Sequence, residues 1–269
     1  MSTKLVPHRK RPVDVVVISD VHLGTYGSRA EELNDYLKSI KPRMLILNGD
    51  IIDIWQFRKS FFPPAHMKVV KRLMKMAAKV PVFYITGNHD EALRRYSPAT
   101  LGKLQLVDRL DLTLHGQRYW FFHGDVFDAS MEHAKWLAKL GGSSYDMLIR
   151  LNNLVNWFLV RTGRPRMSFS KRIKQSVKRA VAYIADFEET AAAIAIREGY
   201  DHVVCGHIHQ PQIRRITLPT GSVNYMNSGD WIEHLSALEL VGQEWRLYVH
   251  GMDQEQVTTR RARPEPAFA

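Results

Sequence analysis

Five short polar motifs occur along the chain, each at the point where an apolar, strand-like run ends. They are Asp20-Val-His22, Gly49-Asp50, Gly87-Asn88-His89-Asp90, His123-Gly124-Asp125 and Gly206-His207-Ile-His209. In an open α/β sheet, ligands bind in the crevice at the carboxyl ends of the strands, so loops of this kind can converge. The sequence therefore predicts one polar site that is assembled from several strand ends.

The first hundred residues alternate strand and helix patterns. Residues 13–19, 44–47 and 82–86 have the continuous apolar character of buried strands, whereas residues 29–40 and 66–79 have helical spacing. This alternation indicates βαβ units and a largely parallel sheet. After Gln105 the apolar runs are shorter, as in residues 118–122, and the last sixty residues alternate strand-like runs with turns. We therefore expect a second, mixed sheet.

The middle of the chain has a helical sequence pattern. Residues 130–199 are almost entirely compatible with helix, with a turn suggested at Gly163-Arg-Pro165. We interpret them as a helical cap inserted into a core made of residues 1–129 and 200–259. Residues 260–269 are rich in Arg and Pro, which predicts a disordered tail.

Composition narrows the classes of protein. A chain of 269 residues with 45% hydrophobic residues can bury a sizeable core. A lone cysteine, Cys205, excludes a disulfide within the chain, and no run reaches the ~18–20 apolar residues that span a bilayer. We expect a cytoplasmic protein. The net charge of +11 favours an anionic partner, which could be nucleic acid, a phosphorylated small molecule or an anionic membrane surface.

The residue types in the five motifs are those of a metal site. They offer carboxylates, imidazoles and one amide, with no thiolate, and this set suits Mn, Fe or Zn better than copper. Each motif alone has a structural explanation; Asn88 or Asp90, for example, could cap a helix that begins at Glu91. All five in order, each after a strand, instead indicate a site with enough ligands for two ions.

The pattern D-x-H, G-D-x-x-D, G-N-H-D, H-G-D, G-H-x-H resembles the calcineurin-like metallophosphoesterase superfamily over residues 14–250. The resemblance implies an α/β fold, a two-sheet αββα sandwich with a helical cap insertion, and two divalent ions, with manganese the first expectation. It also implies the ligands. The first ion would be held by Asp20, His22, Asp50 and His209, and the second by Asp50, Asn88, His123 and His207.

The same resemblance implies two catalytic residues. His89 follows the ligand Asn88, and in the superfamily this histidine stabilises the transition state or protonates the leaving oxygen. Asp53, three residues after the bridging Asp50, would orient it. An Asp–His pair fixes the imidazole tautomer and raises its pKa, as a general acid requires.

The substrate prediction depends on the cap sequence. Between residues 150 and 179 there are nine Lys or Arg and no Asp or Glu, and the apolar residues 151–160 precede most of them. Such a segment is either a solvated basic face or a surface for acyl chains and phosphates. The second interpretation resembles the UDP-2,3-diacylglucosamine hydrolase branch, peripheral membrane enzymes of lipid A synthesis that cleave a pyrophosphate. That resemblance implies substrate contacts from Lys174 or Lys178, and a place on the inner face of the membrane.

One difference from that branch concerns His89, because its best-known hydrolases have arginine at this position. Two other functions are therefore possible from the sequence. The first is a phosphodiesterase acting on nucleotides or nucleic acid, which would account for the positive charge. The second is a scaffold that keeps the metallophosphoesterase fold without catalysis, and the complete set of predicted ligands argues against it.

Overall fold

The computed structural model of the chain describes residues 10–54, 61–128 and 170–252, except for the side chains of residues 170–180. The predicted tail, residues 260–269, and residues 130–169 of the predicted cap lie outside the described residues. The chain divides into two units, one made of Met1–Gly124 with Ala192–Ala269, and the other of Asp125–Ala191. All predicted metal ligands belong to the first unit.

Twelve strands and three α-helices are described along the chain. They are β1 (Arg11–Ile18), α1 (Ala30–Ser39), β2 (Ile40–Asn48), α2 (Pro64–Ala77), β3 (Val82–Ile85), β4 (Ala99–Leu101), β5 (Leu104–Val107), β6 (Arg109–Leu114), β7 (Gln117–Phe122), α3 (Ser170–Arg197), β8 (His202–Cys205), β9 (Gln212–Leu218), β10 (Gly221–Asn227), β11 (Ser236–Val241) and β12 (Glu244–Val249). Two short 3₁₀ helices, Glu91–Tyr96 and Asp125–Phe127, follow β3 and β7.

The first sheet has the order β12-β11-β1-β2-β3-β5-β4. Strands β1, β2, β3 and β5 are parallel, as the βαβ pattern predicts, so their carboxyl ends share one edge. The last two strands differ from the prediction because they join this sheet and not the second one. β11 pairs antiparallel with β1, with Val16 opposite Glu239. An apolar run identifies a strand but not its neighbour, which explains the difference.

Strand β2 is longer than its apolar run, because it begins at Ile40 directly after α1 and contains Pro42. Proline cannot donate a ladder hydrogen bond and is confined to edge-like positions in sheets. Pro42 meets this condition, since β3 pairs with β2 only from Leu45 onward. The amino-terminal part of β2 is therefore paired through β1, where Pro42 lies opposite Val13.

The second sheet has the order β6-β7-β8-β10-β9 and is mixed, as predicted. Strands β7, β8 and β10 run parallel, and β6 and β9 pair antiparallel at the edges. A core between the sheets contains Val17, Ile46, Phe121 and Val204. A second core packs α1 and α2 against the other face of the first sheet. The α/β fold with two sheets is thus confirmed.

The unit Asp125–Ala191 contains most of α3. Within it Tyr183 donates a hydrogen bond to Asp128 Oδ1 at 2.9 Å, and the Phe127 and Phe187 rings lie edge to face. The assignment of residues 130–199 to a cap stays a prediction. Among the described residues, no helix combines the length and the apolar character needed to cross a bilayer.

Candidate metal centre

The predicted ligands lie close together at strand ends. Ligand atoms of three overlapping groups come within 4.8 Å of one another in each group. The groups are Asp20, His22 and His209; His22, Asp50 and His89; and Asp50, His123 and His207. Because His22 and Asp50 each belong to two groups, the three groups form one continuous cluster.

The first group joins the loop after β1 to the loop after β8. His209 Nε2 lies 3.1 Å from Asp20 Oδ1, and the backbone N–H of His207 donates to Asp20 Oδ2 at 3.1 Å. Burial lowers the pKa of His209, but neighbouring carboxylates, Asp20 above all, raise it to about 9. An ion that binds this imidazole must therefore compete with a proton.

Asp50 connects the two halves of the cluster. Its Oδ2 lies 3.2 Å from His123 Nε2 and 3.9 Å from His22 Nε2, and its Oδ1 accepts the His89 backbone N–H at 2.8 Å. Burial raises the pKa of Asp50, yet the adjacent imidazoles, His123 first, bring it below its ordinary value. An ionised carboxylate with imidazoles on both sides has the placement that a bridging ligand needs.

The backbone at these ligands is unusual. Five predicted ligands have left-handed φ angles, at 52° for Asp20, 51° for His22, 54° for Asp50, 67° for His207 and 54° for His209. Such angles are uncommon outside glycine and concentrate at functional sites, where the surrounding structure holds them. Their occurrence at five of the seven predicted metal ligands indicates that the loops are shaped for the cluster.

Glycines let these loops approach one another. A Cβ atom on Gly87 would lie 2.3 Å from Asp50 Oδ1, and one on Gly49 would lie 2.2 Å from His123 Nδ1. Both distances are far below contact, so only glycine fits without displacing a ligand. Glycine beside a ligand therefore permits the close approach of the loops at these two positions.

The donor set fits divalent cations. His22 Nε2 and Asn88 Oδ1 are buried and find no hydrogen-bond partner among the described residues. Buried polar atoms in proteins nearly always have a partner, so atoms without one mark a place for a bound group. Carboxylate and imidazole donors suit Mn, Fe or Zn. The clustered Asp20 and Asp50, both buried, add the negative charge that cations balance.

His89 and Asp53 form the predicted pair beside this cluster. His89 Nδ1 lies 3.0 Å from Asp53 Oδ2, and the same oxygen lies 3.7 Å from His22 Nδ1. Burial lowers the pKa of His89, but the hydrogen bond to Asp53 and the charges of Asp50 and Asp53 together more than offset this, so the pKa lies above its ordinary value. His89 is therefore disposed to carry a proton at the edge of the cluster.

Asp90 connects two loops of the site through hydrogen bonds. Its Oδ1 accepts the Gly87 N–H at 2.6 Å, and its Oδ2 accepts the Ile51 N–H at 3.0 Å and the Tyr84 hydroxyl at 2.6 Å. Its side chain does not cap the 3₁₀ helix that follows. The bonds hold the loop of Asn88 against the loop of Asp50.

The predicted substrate-binding lysines and one carboxylate that was not predicted lie outside the set described so far. Lys174 and Lys178 lie on α3, but their side chains fall outside the described residues. Asp230, which is fully buried, was not predicted; its Oδ2 lies 3.8 Å from His209 Nδ1. The signal for it was present, since Asp230 also follows a strand with a glycine beside it.

Known proteins resemble the chain along most of its length. The UDP-2,3-diacylglucosamine hydrolase of Edwardsiella ictaluri is 25% identical over 232 residues, which cover 82% of this chain and 85% of that protein. The hydrolase of the same name from Shewanella loihica is 25% identical over 246 residues, covering 86% and 93%. Among solved structures, the Yfce phosphoesterase from E. coli has a TM-score of 0.46 at 16% identity, covering 89% of this chain and 94% of that one.

The family profile described as Calcineurin-like phosphoesterase matches residues 13–211. That stretch begins in β1, whose loop carries Asp20, and extends just past His209. It therefore includes both ends of the ligand cluster. The chain belongs to the calcineurin-like phosphoesterase family and is a metal-dependent phosphoester hydrolase.

Proposed function

We propose that this enzyme holds two divalent ions and cleaves the pyrophosphate of a lipid-linked nucleotide, UDP-2,3-diacylglucosamine or a close analogue, to UMP and a lipid sugar phosphate. The observation that carries the proposal is the position of Asp50. Its Oδ2 lies 3.9 Å from Nε2 of His22, which is assigned to the first ion, and 3.2 Å from Nε2 of His123, which is assigned to the second. A site with one shared carboxylate and imidazoles on either side suits two ions that act on a single phosphoryl group.

The first ion is assigned to Asp20, His22, Asp50 and His209, and the second to Asp50, Asn88, His123 and His207. Manganese is the preferred ion, with iron and zinc as alternatives. When bound, two such ions lower the pKa of water and withdraw charge from phosphoryl oxygens. In support of the assignment, Nε2 faces a carboxylate of the cluster in each of three histidines, at 3.9 Å for His22, 3.2 Å for His123 and 3.1 Å for His209.

The chain itself supplies proton handling through His89. With Asp53 at Nδ1, the imidazole is fixed in the tautomer that carries hydrogen on Nδ1, and its raised pKa favours the protonated form. The remaining ring nitrogen can then donate to a phosphoryl or leaving oxygen as negative charge develops there. His89 is 29% exposed at its side chain, so substrate can reach it.

The substrate assignment is supported by the named relatives and by the basic segment of the cap. Residues 150–179 carry nine positive charges and no negative ones, and eight of the nine follow the apolar residues 151–160. Acyl chains prefer apolar side chains, and anionic lipid or phosphate prefers Lys and Arg, so the composition of this segment suits a lipid-linked nucleotide. We assign substrate contact to Lys174 and Lys178, and a peripheral position on the inner face of the membrane.

The experiment compares three substrates with manganese present: UDP-2,3-diacylglucosamine in detergent, bis(p-nitrophenyl) phosphate, and a phosphomonoester. We expect turnover of the lipid nucleotide with release of UMP, and its loss in Asp50→Asn. Turnover of the generic diester with none of the lipid nucleotide would overturn the substrate and favour the nucleotide or nucleic-acid alternative. That alternative also predicts DNA binding with steep salt dependence.

A further inference from the structure

The segment after β10 forms a tight turn around one buried carboxylate. Oδ1 of Asp230 accepts the backbone N–H groups of Ile232 at 2.8 Å, Glu233 at 2.6 Å and His234 at 3.2 Å. Its second oxygen, Oδ2, accepts a bond from His234 Nδ1 at 2.6 Å. The two oxygens therefore have different partners: Oδ1 closes the turn, and Oδ2 faces imidazoles.

The second imidazole that Oδ2 faces belongs to the predicted ligand His209. His209 directs Nε2 at Asp20 and Nδ1 at Asp230, whose Oδ2 lies 3.8 Å away. This distance is that of an ion pair and is longer than a hydrogen bond. Nδ1 of His209 therefore faces the carboxylate within the range of an ion pair.

Two other histidines in the cluster have the same arrangement. His22 places Nε2 toward Asp50 and Nδ1 toward Asp53 Oδ2 at 3.7 Å. His123 places Nε2 toward Asp50 and donates Nδ1–H to the Asn48 carbonyl at 2.9 Å. In metal sites a ligating histidine usually gives its second ring N–H to such an acceptor, which fixes the ring and raises its basicity.

The Asp230 and Asp53 arrangements share a further feature. In each case one carboxylate oxygen contacts a predicted ligand and a second, partly exposed histidine. Asp53 Oδ2 contacts His22 and His89, and Asp230 Oδ2 contacts His209 and His234. His234 is 34% exposed at its side chain. The two pairs act from different loops of the chain on the two imidazoles of the first ion site.

We propose that Asp230, held in place by His234, is the positioning residue of the metal ligand His209. Asp230 acts through His209 and is not itself a ligand, and the inference rests on the proposed metal assignment. The anchoring of the turn supports it. The backbone N–H of the buried Trp231 donates to the Asp20 carbonyl at 3.1 Å, which connects the turn to Asp20, a member of the same ligand group as His209.

The test uses Asp230→Asn, which keeps an oxygen for the turn and replaces the other with an NH₂ group that cannot accept from His209. We expect Mn²⁺ affinity, measured by titration calorimetry on the full chain stripped of metal, to fall about 10- to 100-fold at one of two sites. The stripped protein should still fold cooperatively but with a lower melting temperature, because the ionised carboxylate accepts three backbone N–H bonds and the His234 contact. Glu233→Gln is the matched control, since it removes one charge from the same turn at an exposed side chain, and its Mn²⁺ affinity should not change.

Unchanged Mn²⁺ affinity in Asp230→Asn would overturn the positioning role, and so would an equal loss in Glu233→Gln. If Asp230→Asn does not fold, His234→Ala replaces it, because the three backbone bonds to Oδ1 remain; a several-fold weaker affinity is then expected, and wild-type affinity overturns the role. Failure of the proposed function can be told apart from failure of the Asp230 role. A wild-type protein that binds two ions and cleaves none of the three phosphoesters would overturn the function and leave the Asp230 result standing.

Discussion

Asp53 places a single carboxylate oxygen 3.0 Å from Nδ1 of His89, and the contact joins the loop after β2 to the loop after β3. The same oxygen faces the predicted ligand His22 at 3.7 Å. One buried side chain therefore influences both a residue assigned to proton handling and a residue assigned to metal binding. The two roles can be separated by substitution.

Replacing His89 should abolish proton handling and spare the ions. His89→Asn can keep a hydrogen bond to Asp53 but cannot transfer a proton, so kcat should fall by about 10²- to 10⁴-fold. Metal content by elemental analysis should remain at the wild-type level. His115→Asn, the same change at an exposed turn between β6 and β7, is the control and should keep full turnover. Normal kcat in His89→Asn would remove the residue from the mechanism.

Replacing Asp53 should produce a wider defect than replacing His89. Asp53→Asn removes the negative charge that faces both imidazoles, so we expect a fall in kcat together with a Mn²⁺ affinity that is about 10- to 100-fold weaker. Calorimetry and steady-state kinetics on the same preparation separate the two effects. An Asp53→Asn protein that binds Mn²⁺ like wild type would show that the 3.7 Å contact with His22 has no role.

The metal ligands could be predicted from the sequence more fully than the residues that orient them. Asp20, Asp50 and Asn88 follow apolar runs directly, and the parallel sheet brings such positions to one edge, so sequence order was sufficient to group them. Asp230 follows β10 in the same way, but its run, Gly221–Asn227, has a weaker apolar pattern, with residues 221, 222 and 224 partly or fully exposed. The prediction that β11 joins the second sheet was wrong for a related reason. Its pairing with β1 depends on packing between distant parts of the chain, which a local sequence pattern does not show.

Gly87 should tolerate no side chain. A Cβ at this position would meet Asp50 Oδ1 at 2.3 Å and the Asp50 backbone nitrogen at 2.7 Å, so Gly87→Ala must move the shared carboxylate or its own loop. Overpacking of this kind costs about 1–3 kcal/mol of stability. We expect loss of bound metal and of turnover, measured by elemental analysis and kinetics.

Gly27→Ala is the matched control for this substitution. Its Cβ would meet Ile232 Cγ2 at 3.4 Å, an ordinary contact, and Gly27 does not have a left-handed φ angle. Metal content and kcat should therefore match wild type. If Gly87→Ala kept both as well, the close approach of the two loops would not be required for the site.

His202, at the amino-terminal end of β8, should make stability depend on pH without affecting the ligand cluster. It is buried, stacks on the Tyr119 ring at 4.1 Å, and contacts Gln117 through Nε2. Burial lowers the pKa of His202 from 6.5 to about 4. Unfolding therefore takes up a proton between these pH values, so the stability that neutral His202 provides is complete above about pH 6.5 and is lost as the pH falls toward 4.

The measurement compares melting temperatures of wild type and His202→Phe from pH 7.5 to pH 4, with EDTA present so that metal release does not contribute. Phenylalanine keeps the stack on Tyr119 and cannot take up a proton. Carboxylates of the cluster titrate in both proteins, so only the difference between the two curves reports His202. Wild type should lose several degrees more than the variant on acidification, because the folded state of wild type resists protonation at this buried ring. Parallel curves would show that His202 does not link folding to pH.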